Sequence, residues 1–502
     1  MAQLADRPFP PGSYPVLIVG SGPGALQTSY GLRSLGVAHA VISADPEPGG
    51  MFRRFPLFQR LVTWTKPFSP VDAGSRRYER FDWNSLITEE SADRALVRRA
   101  MTGSESYFPT RPEMEEGLVE FVRRSALDVR HGCTWLSTTR TDDGYVLTTS
   151  DGDYTAPIVV FAVGMTEAWK PDIPGMKDVT HYVDVESAAD YRDKVVFVIG
   201  KRNSGYEIAN ALLPHARQVI LGSPRPSRIS VIARSTAAAR ARYLQPYEDH
   251  VLGGGHFSID AAIERIERTS KGWKVHTAGT TVPGERVFEV DDVIAATGFT
   301  TPLGDLADVG VETFYKGRLP AQTSFWESRS APGIYFAGSI TQGSIGLKKY
   351  GIPSNSAAVH GFRYNALVLA RHLAEAAGGT LPAPARIESQ DLVGFLLEEA
   401  TFGPELWNQQ AYLARVVTVD GDIGLIDAGI QPLAHFVDEA GPDSVAVTVE
   451  TDTDGDIHPA VYVRKDQHVS EHLLSSDLLH DFTGDGARQR QLASALEPLG
   501  VR

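Results

Sequence analysis

The sequence predicts an α/β chain in which two doubly wound parallel sheets, the second inserted into the first, precede a C-terminal α+β piece. Three observations carry that prediction. Two apolar runs, Val16-Leu17-Ile18-Val19 and Val195-Val196-Phe197-Val198-Ile199, each lead into a glycine-rich turn and a helix start, about 180 residues apart. Two later apolar runs, 292–296 and 333–337, also end in glycine. A glycine- and proline-rich linker at 377–384 then sets off the rest of the chain.

The elements follow in order. Residues 16–20, 25–35 and 38–43 read as strand, helix and strand, the opening βαβ unit. Residues 51–111 are irregular, with helical pieces at 91–101. Residues 112–125 read as a helix, with Pro112 in its first turn and acids early. Strands are expected at 128–135, 144–149 and 154–162. After the crossing Lys170-Pro171-Asp172-Ile173-Pro174-Gly175 comes the second unit: strand 194–199, helix 203–213, strand 217–221. Strand-like pieces at 229–233, 272–277 and 286–296 carry the chain back, and 354–376 reads as a long amphipathic helix. The expected boundaries are 1–166 and 286–377 for the first domain, 167–285 for the inserted one and 388–502 for the tail.

Composition narrows the function. Apolar residues make up 42% and charged residues 22%, ordinary for a globular enzyme. No run approaches the roughly 18 apolar residues of a membrane span, and residues 1–15 lack a signal-peptide core, so a cytoplasmic location is expected. The net charge of −14 is concentrated: residues 388–502 hold 21 acids and 6 bases, while residues 1–387 are near neutral. An acidic surface argues against nucleic acid and anionic membranes as partners, and self-association into a homo-oligomer stays open. The tail is expected to be a discrete unit that does not complete the cofactor site. One cysteine, Cys133, leaves no internal disulfide, CxxC pair or cysteine-based zinc cage.

A strand, a glycine turn and a helix N-terminus form a diphosphate site, because the glycines admit the backbone and the helix supplies free N–H groups. Two such sites suggest two Rossmann-like dinucleotide-binding domains with electron transfer between their ligands. Two patterns in the tail read as structural. His468-Val469-Ser470-Glu471-His472 matches a zinc-peptidase spacing without its fold context, and Glu450-Thr451-Asp452-Thr453-Asp454-Gly455 mimics a calcium loop but has Val461 at its twelfth position. No metal site is expected.

The pieces Gly20-x-Gly22-x-x-Ala25, Gly49-Gly50, Ala162-Val163-Gly164, Ala296-Thr297-Gly298 and Gly338-Ser339 resemble the two-dinucleotide-binding-domain flavoproteins. That group includes class B flavin monooxygenases, amine N-hydroxylases and thioredoxin-reductase-like enzymes. The resemblance covers 15–376. It implies FAD at the first turn and NADPH at the second. FAD contacts then fall to Gly20, Gly22, Gly24, Ala25, Gly49, Gly50, Met51, Phe52, Trp64, Gly298, Gly338, Ser339 and Leu347. Ser43 stands where the family has an acid for the adenosine ribose, with Asp45 as its substitute.

For NADPH the resemblance implies Gly200, Arg202, Asn203, Ser204 and Gly205, with Arg202 in place of the middle glycine and turned outward onto a phosphate. Ser223, Arg225 and Arg228 follow the next strand without an acid, which suits a 2′-phosphate. His181 is misplaced for the Gly-x-x-x-His element of flavin and Baeyer–Villiger monooxygenases, so neither subclass is assigned.

The activity implied is NADPH-dependent monooxygenation. Reduced flavin captures dioxygen as a 4a-hydroperoxide, which oxygenates an amine nitrogen or sulfur of a small molecule. Lys66 and Gln59, in a segment that loosely resembles the N-hydroxylases, and Asn355 are the candidate catalytic residues. Arg240, Arg242, Tyr243 and Tyr247 are the candidate substrate contacts, set against a packed insertion of ion pairs. Two alternatives remain: a reductase of a small disulfide, quinone or protein, and a flavoprotein with a binding or regulatory role.

Overall fold

A computed structural model describes residues 7–53, 60–101, 106–230, 238–347, 349, 354–421 and 424–500. The chain divides into two compact units, one of residues 1–50, 63–164 and 303–502 and the other of 51–62 and 165–302.

The first unit is built on a parallel sheet in the order Ile334–Phe336, Ile158–Phe161, Val16–Val19, Ala40–Ser43, Arg130–His131. The β-branched runs explain the sheet: every residue of Val16–Val19 and Ala40–Ser43 is buried, as a strand covered on both faces requires. The helix Pro23–Ser34 follows the first strand, and Arg111–Arg124 carries a full capping box between Thr110 and Glu113. A second sheet, Gly12–Ser13, Gly152–Ala156, Gly144–Thr149 and Trp135–Thr141, packs with the first around one apolar core that includes Cys133.

Residues after 385 form a six-stranded antiparallel sheet in the order Arg386–Ile387, Gly424–Pro432, Leu413–Asp420, Ser444–Thr451, Ile457–Lys465, His468–Leu473. It has two apolar cores, one against the helices Leu392–Phe402 and Gly486–Leu496, the other around Phe436 and Tyr462. The acidic tail is therefore a recognisable layer, but it is not discrete. Arg76 forms a double ion pair with Glu399 and Glu405, and the buried indole of Trp326 donates to the Tyr412 hydroxyl at 3.0 Å.

The second unit holds a seven-stranded mixed sheet: Thr180–His181, Asp292–Ala295, Val195–Ile199, Gln218–Ser223, Phe257–Thr269, Gly272–Gly279, Glu285–Val290. Here the expected boundary fails. The sequence pattern places the run 292–296 in the first domain, yet Val196 to Ile199 pair in parallel with Asp292 to Ala295. The inserted domain continues to residue 302, and Gly298 belongs to it. The strand Phe257–Thr269 has no counterpart among the expected elements.

The two tail motifs are structural. His468 and His472 lie on an extended strand, where a spacing of four residues spans about 13 Å, too far to share a metal. Asp452 instead closes a hairpin, its Oδ1 accepting the N–H groups of Asp454, Gly455 and Asp456.

Candidate functional site

The first glycine turn sits at the carboxyl end of Val16–Val19, between strands 40–43 and 158–161, the switch point where open α/β sheets bind ligands. Each glycine there has its own reason. Gly20 has φ +123°, and a β-carbon on it would lie 2.6 Å from the Ala162 carbonyl oxygen. Gly24 packs backbone to backbone on Gly338, and Ala25 is fully buried behind it. Gly22 is the N-cap of the helix and has no side-chain cap, and a β-carbon on it would meet nothing within 4 Å. Open space thus adjoins the helix N-terminus at Gly22, a cradle that fits a diphosphate.

Gly49 and Gly50 close the cradle. Gly49 N–H donates to the Ser21 carbonyl at 3.2 Å, and Gly50, at φ +56°, approaches the Gly22 backbone. Ser43 has an acid beside it. Its hydroxyl lies 2.8 Å from that of Ser21, and both reach within 3.5 Å of Asp45 Oδ2. Asp45 thereby brings a carboxylate back to the strand end. Ser339 is half-buried, and its carbonyl accepts the Gln342 amide at 2.7 Å.

Several of the expected contacts have protein neighbours of their own. Leu347 packs against the tail core around Phe436, because the 338–347 segment runs into the C-terminal layer. Asn355 donates its side-chain N–H to the Asn408 carbonyl at 2.9 Å, so its amide ties the chain to the tail. Lys66 is exposed, with its ammonium 5.5 Å from the Phe81 ring centre. Trp64 stacks on Trp83 at 3.6 Å, and Trp83 stacks in turn on His360 at 3.9 Å. Met51 and Phe52 group with the second unit, not the first. Gln59 lies outside the described residues.

In the second unit, Gly200 has φ +125°, and β-carbons on Gly200 and Gly205 would collide with the carbonyl oxygens of Ala296 and Gly200. The residue between them need not be glycine. Arg202 is the N-cap of Asn203–Leu212 with an extended backbone (φ −113°), and it is exposed. Asn203 Oδ1 accepts the Arg240 N–H at 3.0 Å, and Ser204 is half-buried. Lys201 is buried and pairs with Asp260, the register neighbour of Ser223. Ser223 Oγ donates to the Arg225 carbonyl at 3.0 Å, while Arg225 and Arg228 are exposed.

The 240–250 cluster is a helix, Ala241–Leu252, and its side chains differ in burial. Tyr247 is a core residue, not a substrate contact: it is 1% exposed and donates to the carbonyls of Val219 and Phe257. Arg240 donates to the Val62 carbonyl at 3.0 Å, and Arg242 to the Leu61 carbonyl at 2.9 Å and the Tyr243 hydroxyl at 2.8 Å. Burial pushes the Tyr243 hydroxyl up to about 12. Sequence reasoning missed Glu207, which accepts a hydrogen bond from Tyr182 and whose carboxyl burial raises to about 7.

Known proteins supply the wider context. Residues 17–338 match the family described as pyridine nucleotide-disulphide oxidoreductase. The FAD-dependent oxidoreductase domain-containing protein 2 of Danio rerio is 24% identical over 70% of this chain, and this chain spans 57% of that protein. A ferredoxin–NADP reductase of Thermus thermophilus is 26% identical over 65% of this chain and 84% of its own length. A flavin-containing monooxygenase from Stenotrophomonas maltophilia, 18% identical, shares the fold at a TM-score of 0.55 over 73% of this chain and 99% of its own. No helix among the described residues is long and apolar enough to cross a membrane.

Proposed function

From the premise that this chain belongs to the pyridine nucleotide-disulphide oxidoreductase family, we propose that it is an NADPH-dependent flavin monooxygenase acting on an amine nitrogen or sulfur of a small molecule. It is an NAD(P)H-dependent flavin oxidoreductase, with FAD and NADPH as cofactors. Bound FAD supplies hydride acceptance from NADPH and delivery of electrons to dioxygen. In the net reaction one oxygen atom enters the substrate, the other leaves as water, and NADPH is oxidised to NADP⁺.

The chain's own groups bind and orient. The Gly20-Ser21-Gly22 turn and the helix behind it would hold the FAD diphosphate, with Asp45 and the two serine hydroxyls at the adenosine ribose. The Gly200 turn, Arg202, Arg225 and Arg228 would hold NADPH. Arg240 and Arg242 fix the carbonyls of 60–62 and leave Tyr243 beside them.

The observation that carries the reading is Cys133. It is the one cysteine, it is 1% exposed, and burial raises its thiol above the ordinary range. A dithiol relay within this chain is excluded, and a lone thiolate attacking a disulfide is disfavoured. A reductase that passes electrons to a quinone or protein is the second reading, favoured by the Thermus relative. The deciding experiment is a screen of amines and thioethers for NADPH consumption with product mass. A product heavier by one oxygen supports the monooxygenase, and NADPH-driven reduction of a one-electron acceptor with no oxygenated product supports the reductase.

A further inference from the structure

The C-terminal layer reaches the first glycine turn through a chain of buried amides and hydroxyls. It begins at Gln409, which is 0% exposed and follows the short helix Pro404–Asn408. Gln409 Oε1 accepts the Asn355 N–H at 2.9 Å, and its Nε2 donates to Asn365 Oδ1 at 2.8 Å and Ser356 Oγ at 3.0 Å. Asn365, on the helix Val359–Ala376, donates to Thr341 Oγ1 and to Ser356 Oγ, both at 3.0 Å. Thr341 in turn donates to the Gly338 carbonyl at 2.7 Å. Asn365 and Ser356 are 0% exposed and Thr341 is 1% exposed.

Gly338 is where the chain meets the turn. It holds φ +73°, and its Cα and N face Gly24 so closely that a β-carbon on Gly24 would lie 2.3 and 2.5 Å from them. Packing this tight does not average over alternatives: a shift of Gly338 by a few tenths of an ångström must move Gly24. A buried network whose members are all partnered holds a single geometry, and removing one member strands the others without water.

We propose that Gln409 is a positioning residue for the flavin site, so that the C-terminal layer is a working part of the dinucleotide cradle. Gln409 sets Asn365, Asn365 orients the Thr341 hydroxyl, and that hydroxyl fixes the Gly338 carbonyl and the glycine contact beneath the diphosphate. The inference rests on the reading of the first turn as the FAD site. It reverses the expectation that the tail leaves that site alone.

The test uses the full chain. Gln409→Met keeps length and burial but removes every hydrogen bond of the side chain, and Thr341→Val cuts the same chain at its far end with little change of shape. Glu405→Gln is the control, because it weakens the Arg76 pairing of the same tail segment without touching the network. FAD dissociation constant, flavin midpoint potential and Tm are measured for all four proteins. Gln409→Met and Thr341→Val are each expected to weaken FAD binding at least tenfold and to shift the potential, while Glu405→Gln lowers Tm with both flavin readouts at wild-type values. If one of the first two fails to fold, the other decides. Wild-type affinity and potential in the folded variants overturn the inference, as does a loss of affinity in Glu405→Gln that scales with Tm in the same way. A wild-type chain that takes up no FAD overturns the cofactor reading along with it.

Discussion

Gly24 and Gly338, 314 positions apart in the chain, meet so closely that Gly24 has no space for a side chain: a β-carbon on Gly24 would stand 2.3 Å from the Gly338 Cα. Gly22, two residues earlier, has open space at the corresponding place. The two positions should therefore fail differently. Gly24→Ala is expected to lower Tm and FAD content together, because backbone must move. Gly22→Arg is expected to fold with a near-wild-type Tm and purify colourless, because the arginine fills the diphosphate's space. Stoichiometric FAD in Gly22→Arg would refute the assignment of this turn.

NADPH should bleach the flavin anaerobically faster than NADH. Arg225 and Arg228 are exposed after the strand Gln218–Ser223, and a charge-assisted hydrogen bond from either guanidinium to the 2′-phosphate is worth about 1.5–3 kcal/mol. The double variant Arg225→Ala/Arg228→Ala should narrow the NADPH-to-NADH ratio of kcat/KM by more than tenfold. Equal performance of the two nucleotides in wild type contradicts the 2′-phosphate reading.

Glu207 gives a pH signature. Burial raises its carboxyl from 4.5 to about 7, with the Tyr182 hydrogen bond opposing that shift. The folded state holds the proton more tightly than the unfolded one. Its contribution to stability is complete below about pH 4.5, falls as pH rises towards 7 and is gone above it. Glu79, also raised to about 7 by burial, adds a slope of the same sign, so the readout is the difference between variant and wild type. Glu207→Gln should flatten the wild-type loss of stability between pH 5 and 8 by at most about 3 kcal/mol, measured by denaturant unfolding at each pH. Parallel curves for the two proteins would show that Glu207 does not titrate there.

Cys133 should not react with aromatic disulfide reagents in the native protein, and should react stoichiometrically once unfolded. It is 1% exposed and donates to Thr149 Oγ1 at 3.3 Å. Cys133→Ala should keep NADPH-dependent flavin turnover within a factor of two. Abolished turnover with unchanged FAD content would restore a thiol mechanism.

Trp326 anchors the tail from below. It is fully buried, and its indole N–H meets the Tyr412 hydroxyl. Trp326→Ala should cost about 3–5 kcal/mol in unfolding free energy, the range for emptying a large aromatic site. A loss under 1 kcal/mol would mean that the C-terminal layer contributes little to the stability of the whole.

Local signals are readable in the sequence and long-range ones are not. The expected helix 203–213 and strand 194–199 fall within a residue of Asn203–Leu212 and Val195–Ile199, because glycine turns and β-branched runs are properties of neighbours in sequence. Phe257–Thr269 escapes such a reading because Ala261-Ala262-Ile263-Glu264-Arg265-Ile266-Glu267-Arg268 has the composition of a helix. Pairing with Gln218–Ser223 on one side and Gly272–Gly279 on the other overrides that preference. The strand 292–296 could belong to either sheet by sequence, and only its register with Val195–Ile199 decides. The roles of Tyr247, Leu347, Asn355 and Gln409 depend on partners far away in sequence, which no spacing pattern encodes.

The bonds from Arg240 and Arg242 to the carbonyls at 60–62 bear on modularity. They recruit a short stretch of the early chain, 51–62, into a unit whose remainder is 165–302. The second unit is therefore not a cassette that can be excised as one segment. A chimera that exchanged 165–302 alone would leave two guanidinium groups facing carbonyls supplied by a foreign sequence. Recombination that preserves this unit must carry both segments, which confines its workable crossover points to the ends of the short one as well as the long one.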